Sequence, residues 1–209
     1  MGLQPLGLPV QDVWHKGAHM LWFYESFFPV IWVAFLVYWQ IKAINTKTTQ
    51  RLEPGVSRIF RVLVFLIAIV LLASTRIPLR WLYLALWPSG LWPFWLGAAV
   101  TIAGLLFAVW AREHLGSNWS RSVTIKKDHE LITTGPYAVV RHPIYTGILV
   151  GFLGMAIAIS EVRGFVVLAL ITLALWMKLS MEEKWMRAEF GEAYAAYSRH
   201  SSALVPFII

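Results

Sequence analysis

Long apolar runs separated by short polar segments fill most of this chain. The first run covers residues 20–41, with Glu25 as its single charge, and the second covers residues 59–75. A helix needs about 20 mainly apolar residues to cross about 30 Å of hydrocarbon. The pattern therefore predicts a membrane-spanning helix in each run. Glu25 lies near one end of its run, which favours an interfacial position over an intramembrane functional acid.

The third apolar run is too long for one simple span. Residues 81–111 carry no charge, and Pro88-Ser89-Gly90 interrupts them. Because proline and glycine in succession mark a turn, we expect a short interfacial stretch at 81–87 and a span at about 91–110. The tryptophans at both ends of this region suit the aromatic belts of a bilayer.

Two further apolar runs, residues 143–160 and 164–177, are joined only by Glu161-Val162-Arg163. Such a short connection predicts a tight antiparallel helical hairpin. Helical character continues beyond residue 177 into a polar C-terminal segment. The predicted fold is all-α and polytopic, with about five transmembrane helices, the last two a hairpin, and with a polar loop and a C-terminal helical segment on one side.

Composition agrees with a membrane protein of one domain, residues 1–209. Hydrophobic residues make up 58% of the chain and charged residues 14%, whereas soluble domains average about 45–50% and about 25%. An ordinary soluble globule and a disordered chain are both excluded. The absence of cysteine excludes disulfides and every cysteine-based redox, metal or nucleophilic site. His15 and His19 have the spacing of metal ligands without a third partner, so we expect no metal.

The distribution of basic residues predicts the orientation. With the N-terminus outside, 14 of the 18 lysines and arginines lie on the cytoplasmic side, as the positive-inside rule requires. The net charge of +7 is thereby explained without nucleic-acid binding. Both polar regions, residues 111–143 and 178–209, then lie at the cytoplasmic face, together with the C-terminus.

Candidate chemistry lies where these polar regions border the hairpin. Pro143 biases the preceding His142 away from helix and suits the first turn of a new helix. Arg141 and His142 thus lie at a helix N-terminus, which favours anionic groups. Glu182 and Glu183 follow the last apolar run and point about 100° apart on a helix, so one can face the bundle while the other faces elsewhere. Two ordinary alternatives stay open, a positive-inside anchor for the first pair and a solvated helix continuation for the second.

These residues carry a family resemblance. Gly135-Pro136-Tyr137, then Arg141-His142-Pro143-Ile144-Tyr145-Thr146-Gly147, then an apolar hairpin and Glu182-Glu183, resemble the isoprenylcysteine carboxyl methyltransferases and the related phospholipid methyltransferases. The resemblance covers about residues 112–209, including the tail from Phe190 to Phe207. It divides the single domain into N-terminal spans, residues 1–110, on the lipid side, and a catalytic and cofactor-binding region, residues 111–209.

The resemblance implies transfer of a methyl group from S-adenosylmethionine to a lipophilic acceptor, an isoprenylcysteine-like carboxylate or a related lipid, that enters from the bilayer. It implies catalytic roles for Arg141, Glu182 and Glu183, with Arg141 binding a carboxylate of cofactor or acceptor. It also implies a cofactor pocket made by the loop, the hairpin and the C-terminal segment, and lined by His129, Leu131, Gly135, Pro136, Tyr137, His142, Tyr145 and Glu182.

Two other functions remain open from the sequence. One is an NADPH-dependent membrane reductase of the steroid or sterol type, whose C-terminal helices are similar to this region. The other is a non-enzymatic small membrane protein or transporter, against which the scarcity of charges within the spans argues. The acceptor and the oligomeric state have no signature in the sequence.

Overall fold

Five α-helices make up the described part of the chain. The computed structural model describes residues 18–43, 55–74, 77–88, 90–116 and 131–205. Within these ranges the elements are α1 (Ala18–Lys42), α2 (Gly55–Ala73), α3 (Leu91–Leu115), α4 (Pro143–Ile159) and α5 (Val162–His200), with short 3-10 turns at Arg80–Tyr83 and Gly135–Ala138. The described part of the chain is thus all-α, as predicted.

The helices have the length and surface of membrane spans. Among the described residues, α2, α3 and α5 are long and apolar enough to cross a bilayer, and α4 is apolar but shorter. Their outward faces carry large aliphatic and aromatic side chains, of which Val62, Leu106 and Trp92 are more than half exposed. Because soluble proteins rarely expose so much contiguous apolar surface, the chain is a multi-pass integral membrane protein.

Helices α3 and α4 touch backbone to backbone. A Cβ added to Gly104 would lie 2.6 Å from the Gly147 carbonyl oxygen and 2.6 Å from the Gly151 nitrogen. A Cβ on Gly154 would lie 2.5 Å from the Gly97 carbonyl oxygen. Such small-residue stripes let membrane helices approach closely. The α3–α4 contact therefore holds the N-terminus of α4, where Arg141 and His142 lie, against the C-terminal turn of α3.

The predicted hairpin joins α4 to α5. Ser160 ends α4 in the left-handed conformation (φ 60°, ψ 15°), and α5 begins two residues later. The preceding interfacial stretch pairs with this turn, because Leu86 N–H donates to the Ser160 carbonyl (2.8 Å) and Val162 N–H donates to the Leu84 carbonyl (3.1 Å). The stretch predicted as interfacial thus closes the turn end of the hairpin, opposite to the N-terminus of α4.

Arg163 joins the start of α5 to the end of α2. Its guanidinium donates to the Ser74 carbonyl (3.0 Å), lies 5.1 Å from the centre of the Tyr83 ring and pairs with Glu161 (2.6 Å). The last carbonyls of a helix have no partner within it, and Arg163 supplies one from the neighbouring helix. Helices α2 and α5 are therefore antiparallel, with a register set at this end.

The tail after α5 returns to the loop before α4. Helix α5 continues past its apolar part, bends at Gly191 (φ 51°, ψ −122°) and ends at His200. Beyond it, Arg141 N–H donates to the Ser202 carbonyl (2.8 Å) and His142 N–H to the Ala203 carbonyl (3.0 Å). This short parallel bridge brings the two polar regions together.

Candidate functional site

The candidate site lies at the N-terminus of α4. Pro143 is the first helical residue, and His142 precedes it with non-helical angles (φ −124°, ψ 59°). Proline at this position lacks the N–H that would otherwise be unpaired, and it keeps the preceding residue out of the helix. The sequence therefore starts α4 at the residue where Arg141 and His142 face α5 and its tail.

Arg141 and Glu183 form a largely buried ion pair. Arg141 Nε donates to Glu183 Oε1 at 2.7 Å, and the two side chains are only 11% and 12% exposed. The same guanidinium donates to the carbonyls of Ser198 and Ser201 at the end of α5. Arg141 thus joins α4, α5 and the tail. These bonds make it a positioning residue in this structure, while binding of a ligand carboxylate stays a prediction.

Glu182 faces the same cluster through different partners. The Tyr145 hydroxyl lies 2.7 Å from both carboxylate oxygens of Glu182. Lys178 Nζ lies 3.7 Å from Glu182 Oε1 and 5.1 Å from the centre of the Tyr145 ring. Although adjacent helical residues diverge, both Glu182 and Glu183 contact the N-terminus of α4, so neither faces elsewhere.

His142 lies between the two carboxylates. Its Nδ1 is 3.5 Å from Glu182 Oε2 and its Nε2 is 3.4 Å from Glu183 Oε1. The imidazole stacks on the Tyr145 ring, with centroids 5.4 Å apart and planes at 4°. Burial opposes protonation, but the two neighbouring carboxylates outweigh it and raise the pKa of His142 above its ordinary value. When protonated, His142 therefore bridges the acidic pair.

This bridge predicts a pH dependence of stability. Because the pKa of His142 is higher in the folded than in the unfolded protein, its contribution is complete below the ordinary pKa and is lost as pH rises through the folded value. We expect the melting temperature in detergent to fall with rising alkalinity, and expect His142→Gln to remove part of that slope. His200→Gln, at an exposed position, is the control. An unchanged slope in His142→Gln would contradict the bridge.

The loop before the site packs on the end of α3. Gly135 has φ +61°, and a Cβ there would lie 2.7 Å from the His114 ring, so the turn requires glycine. His114 Nε2 lies 2.9 Å from Thr134 Oγ1. Pro136 and Tyr137 are buried, and Tyr197 of α5 donates to the Tyr137 carbonyl at 2.6 Å. Gly135, Pro136 and Tyr137 thus shape the loop around its neighbours.

A cavity of about 350 Å³ opens between this loop and the end of α5, lined by Thr133, Ala138, Ala196, Tyr197, His200 and Ser201. Sequence reasoning did not single out its α5 side. The signal was present as Tyr194, Tyr197 and His200, which recur every three residues after Gly191 and so share a helix face.

Of the remaining predicted site residues, the structure describes Leu131 and Tyr145 but not His129. Leu131 is half-buried at the start of the described loop, and Tyr145 is buried within the cluster. His129 lies outside the described residues.

Within the described ranges, no group of three histidine, aspartate or glutamate side chains is arranged to hold a metal ion.

Comparisons with known proteins identify relatives of this arrangement. Residues 92–193 match the phospholipid methyltransferase family. The chain is 34% identical over 99 residues to the protein-S-isoprenylcysteine O-methyltransferase of Schizosaccharomyces pombe, covering 44% of this chain and 41% of that protein. It is 28% identical over 163 residues to the cobalt-zinc-cadmium resistance protein CzcN of Cupriavidus metallidurans, covering 78% and 66%.

A solved structure is also similar. The eukaryotic intramembrane Ras methyltransferase, isoprenylcysteine carboxyl methyltransferase, aligns with a TM-score of 0.47 at 27% identity, over 73% of this chain and 52% of that one. The chain spans about half the length of the isoprenylcysteine methyltransferases that it matches, between 41% and 61%. The segment matched to the family contains Arg141, His142 and both glutamates. The resemblance read from the motif is thus confirmed for the segment that carries it: residues 92–193 belong to the family of membrane methyltransferases that includes the phospholipid and isoprenylcysteine enzymes.

Proposed function

We propose that this protein transfers a methyl group from S-adenosylmethionine to a lipophilic acceptor at the cytoplasmic face of a membrane. The observation that carries the proposal is the cluster of Arg141, His142, Tyr145, Glu182 and Glu183, which joins α4, α5 and the tail beside the apolar bundle. The family uses S-adenosylmethionine. The whole chain then acts as one domain, with residues 1–110 on the acceptor side and residues 111–209 on the cofactor side.

The residues present fit this cofactor. A nucleoside with an amino acid arm needs carboxylates for its ammonium and hydroxyl groups, and donors for its carboxylate. Glu182 and Glu183 supply the carboxylates, and Arg141 and the N-terminus of α4 supply the donors. His142 Nε2 lies 3.4 Å from Glu183 Oε1 and makes no well-aligned hydrogen bond to the described residues, so it can donate to a ligand that approaches the acidic pair. The cavity beside the loop has room for part of a nucleoside.

In this proposal the side chains of the site orient the bound cofactor and shield it from water. When bound, the cofactor supplies a methyl group on a positively charged sulfur. Glu182, whose orientation is set by Tyr145, keeps a negative charge beside the apolar bundle. The Arg141–Glu183 pair holds the wall of the site rigid. The surrounding apolar helices exclude water, and exclusion of water strengthens electrostatic interactions within the site.

The acceptor is proposed from the relatives. Several are named protein-S-isoprenylcysteine O-methyltransferases, which supports a lipid-linked carboxylate, and two are named metal-resistance proteins. The cytoplasmic orientation of the site rests on the distribution of basic residues, of which Lys42, Arg112, Arg141, Lys178 and Arg187 lie toward the end of the bundle that holds the cluster.

Ligand-dependent thermal stability tests the proposal. S-adenosylhomocysteine at about 100 times its dissociation constant stabilises a folded protein by about 2.7 kcal/mol, so we expect the melting temperature in detergent to rise by about 5 °C or more. NADPH at equal concentration is the control. Stabilisation by NADPH alone would favour the reductase, and stabilisation by neither would favour a non-enzymatic membrane protein.

A further inference from the structure

We propose that Arg61 of α2 and Lys178 of α5 form a headgroup subsite that selects a negatively charged acceptor. The proposal deepens the proposed function, because it assigns the acceptor side of the same site to residues outside the Arg-His-Pro motif. Arg61 also lies outside the segment that matches the family. The subsite faces Tyr145, which lies between these two cations and the cofactor-side residues.

The helical pattern of α2 directs Arg61 inward. Val64 and Ala68 are the buried residues of α2, and Arg61 precedes them by three and seven positions. Residues at this spacing share one face of a helix. Arg61 is half-buried, whereas Arg58, one turn earlier, is exposed. The inward face of α2 packs in the same apolar cluster as Tyr145.

The register between α2 and α5 brings the guanidinium of Arg61 to the level of Lys178. Arg163 at the start of α5 donates to the carbonyls of Leu72 and Ser74 at the end of α2. Lys178 lies fifteen residues further along α5, about 22 Å at 1.5 Å per residue. The same rise back along the antiparallel α2 reaches residues 57–59. Arg61 Nη1 donates to Ser57 Oγ at 2.9 Å, so its side chain extends back along α2 to this level.

Lys178 approaches Tyr145 from the other side. Its ammonium lies 5.1 Å from the centre of the Tyr145 ring and 3.7 Å from Glu182, with the side chain only 15% exposed. A distance of 3.7 Å is longer than a direct hydrogen bond, so Glu182 neutralises this cation only in part. A second anion beside Lys178 would complete its coordination.

The charge balance of the cluster favours an anion. Among the described side chains, Glu182 and Glu183 face the cations Arg141, Lys178 and Arg187 and, when protonated, His142, so cations outnumber carboxylates in the cluster before Arg61 is counted. A partly buried site with excess positive charge is stabilised by a negative ligand. A lipid-linked carboxylate meets this requirement at the bilayer edge, whereas a lipid amine adds positive charge.

The subsite has a consequence for product release. Methylation converts a carboxylate into a neutral ester, so Arg61 and Lys178 attract the acceptor and lose that attraction once the product has formed. The acid therefore binds more tightly than its methyl ester. This difference is measurable without turnover, which separates the subsite from the methyl-transfer proposal.

The test compares an S-farnesylated N-acetylcysteine with its methyl ester as ligands of the detergent-solubilised protein. We expect the wild type to bind the acid at least tenfold more tightly, and expect Arg61→Gln to bring the two affinities within about threefold. Lys178→Gln reduces the preference as well, and Arg61→Lys restores most of it. Arg58→Gln on the exposed face of α2 is the matched control and keeps the wild-type ratio.

Two results would overturn the subsite. One is equal binding of acid and ester by the wild type, and the other is an acid preference in Arg61→Gln that equals the one in Arg58→Gln. The S-adenosylhomocysteine melting shift, unchanged in Arg61→Gln, shows that this variant is folded. An acid preference that depends on Arg61, found together with no methylation of the acid, would sustain the subsite and contradict the proposed function.

Discussion

Replacing Arg141 with alanine will reduce methyl transfer by at least a hundredfold and will also lower the melting temperature. The guanidinium donates to Glu183 at 2.7 Å and to the carbonyls of Ser198 and Ser201. Alanine can make none of these hydrogen bonds. Loss of the guanidinium leaves the largely buried Glu183 carboxylate with only the longer contacts to His142 and the exposed Arg187, at 3.4 Å each, and breaking a buried pair costs about 3–5 kcal/mol. Activity is measured as transfer of a labelled methyl group, and stability as detergent melting.

Two further variants separate the site from simple destabilisation. Arg187 also contacts Glu183, at 3.4 Å, but its side chain is 61% exposed, so Arg187→Ala should cost no more than about 1 kcal/mol and leave activity near wild type. Combining Arg141→Ala with Glu183→Gln removes the weakly paired charge and should recover part of the stability without recovering activity. Full activity in Arg141→Ala would contradict a role for the pair in the site.

Replacing Gly104 with leucine will prevent α3 and α4 from packing. Even a single Cβ at Gly104 would lie 2.6 Å from the Gly147 oxygen and the Gly151 nitrogen, both of them backbone atoms. Backbone atoms have no rotamer with which to move away, and overpacking of this kind typically costs about 1–3 kcal/mol, occasionally more. We expect Gly104→Ala to lower the melting temperature clearly and Gly104→Leu to yield little monodisperse protein in size-exclusion chromatography.

Gly55 offers the matched control for this contact. It begins α2, and a Cβ there meets nothing within 4 Å. Gly55→Ala should therefore be neutral or slightly stabilising, because alanine is the better helix former. Equal stability of Gly104→Ala and Gly55→Ala would show that α3 and α4 are further apart at Gly104 than in the structure.

The close contact explains one residue of the motif by packing. Gly147 ends the Arg-His-Pro motif, and a Cβ on it would lie 2.5 Å from the Gly104 oxygen. Its partner, Gly104, lies in an apolar run without any motif. The motif therefore combines side chains of the charged cluster with a glycine that brings the cluster to the end of α3.

Hydrophobic pattern alone determined the helices of this protein. Long apolar runs have one low-energy structure in a bilayer, because every backbone group must be bonded within its own segment. The helix boundaries followed from proline and from polar interruptions of the apolar runs, as at Pro143 and at Glu161-Val162-Arg163. The candidate site was predictable to the extent that Arg141, His142, Glu182 and Glu183 border one hairpin, whose ends lie on the same side of the membrane.

Only the tertiary structure decided which groups meet. Local sequence holds no record of the 2.7 Å pair between Arg141 and Glu183, of the return of the tail to the loop, or of the α2–α5 register that Arg163 sets at the end of α2. These contacts join residues 42 to 89 positions apart, and they depend on which helix faces pack together. In an all-apolar helix nothing in the periodicity marks the packed face, so small residues and inter-helix hydrogen bonds decide it.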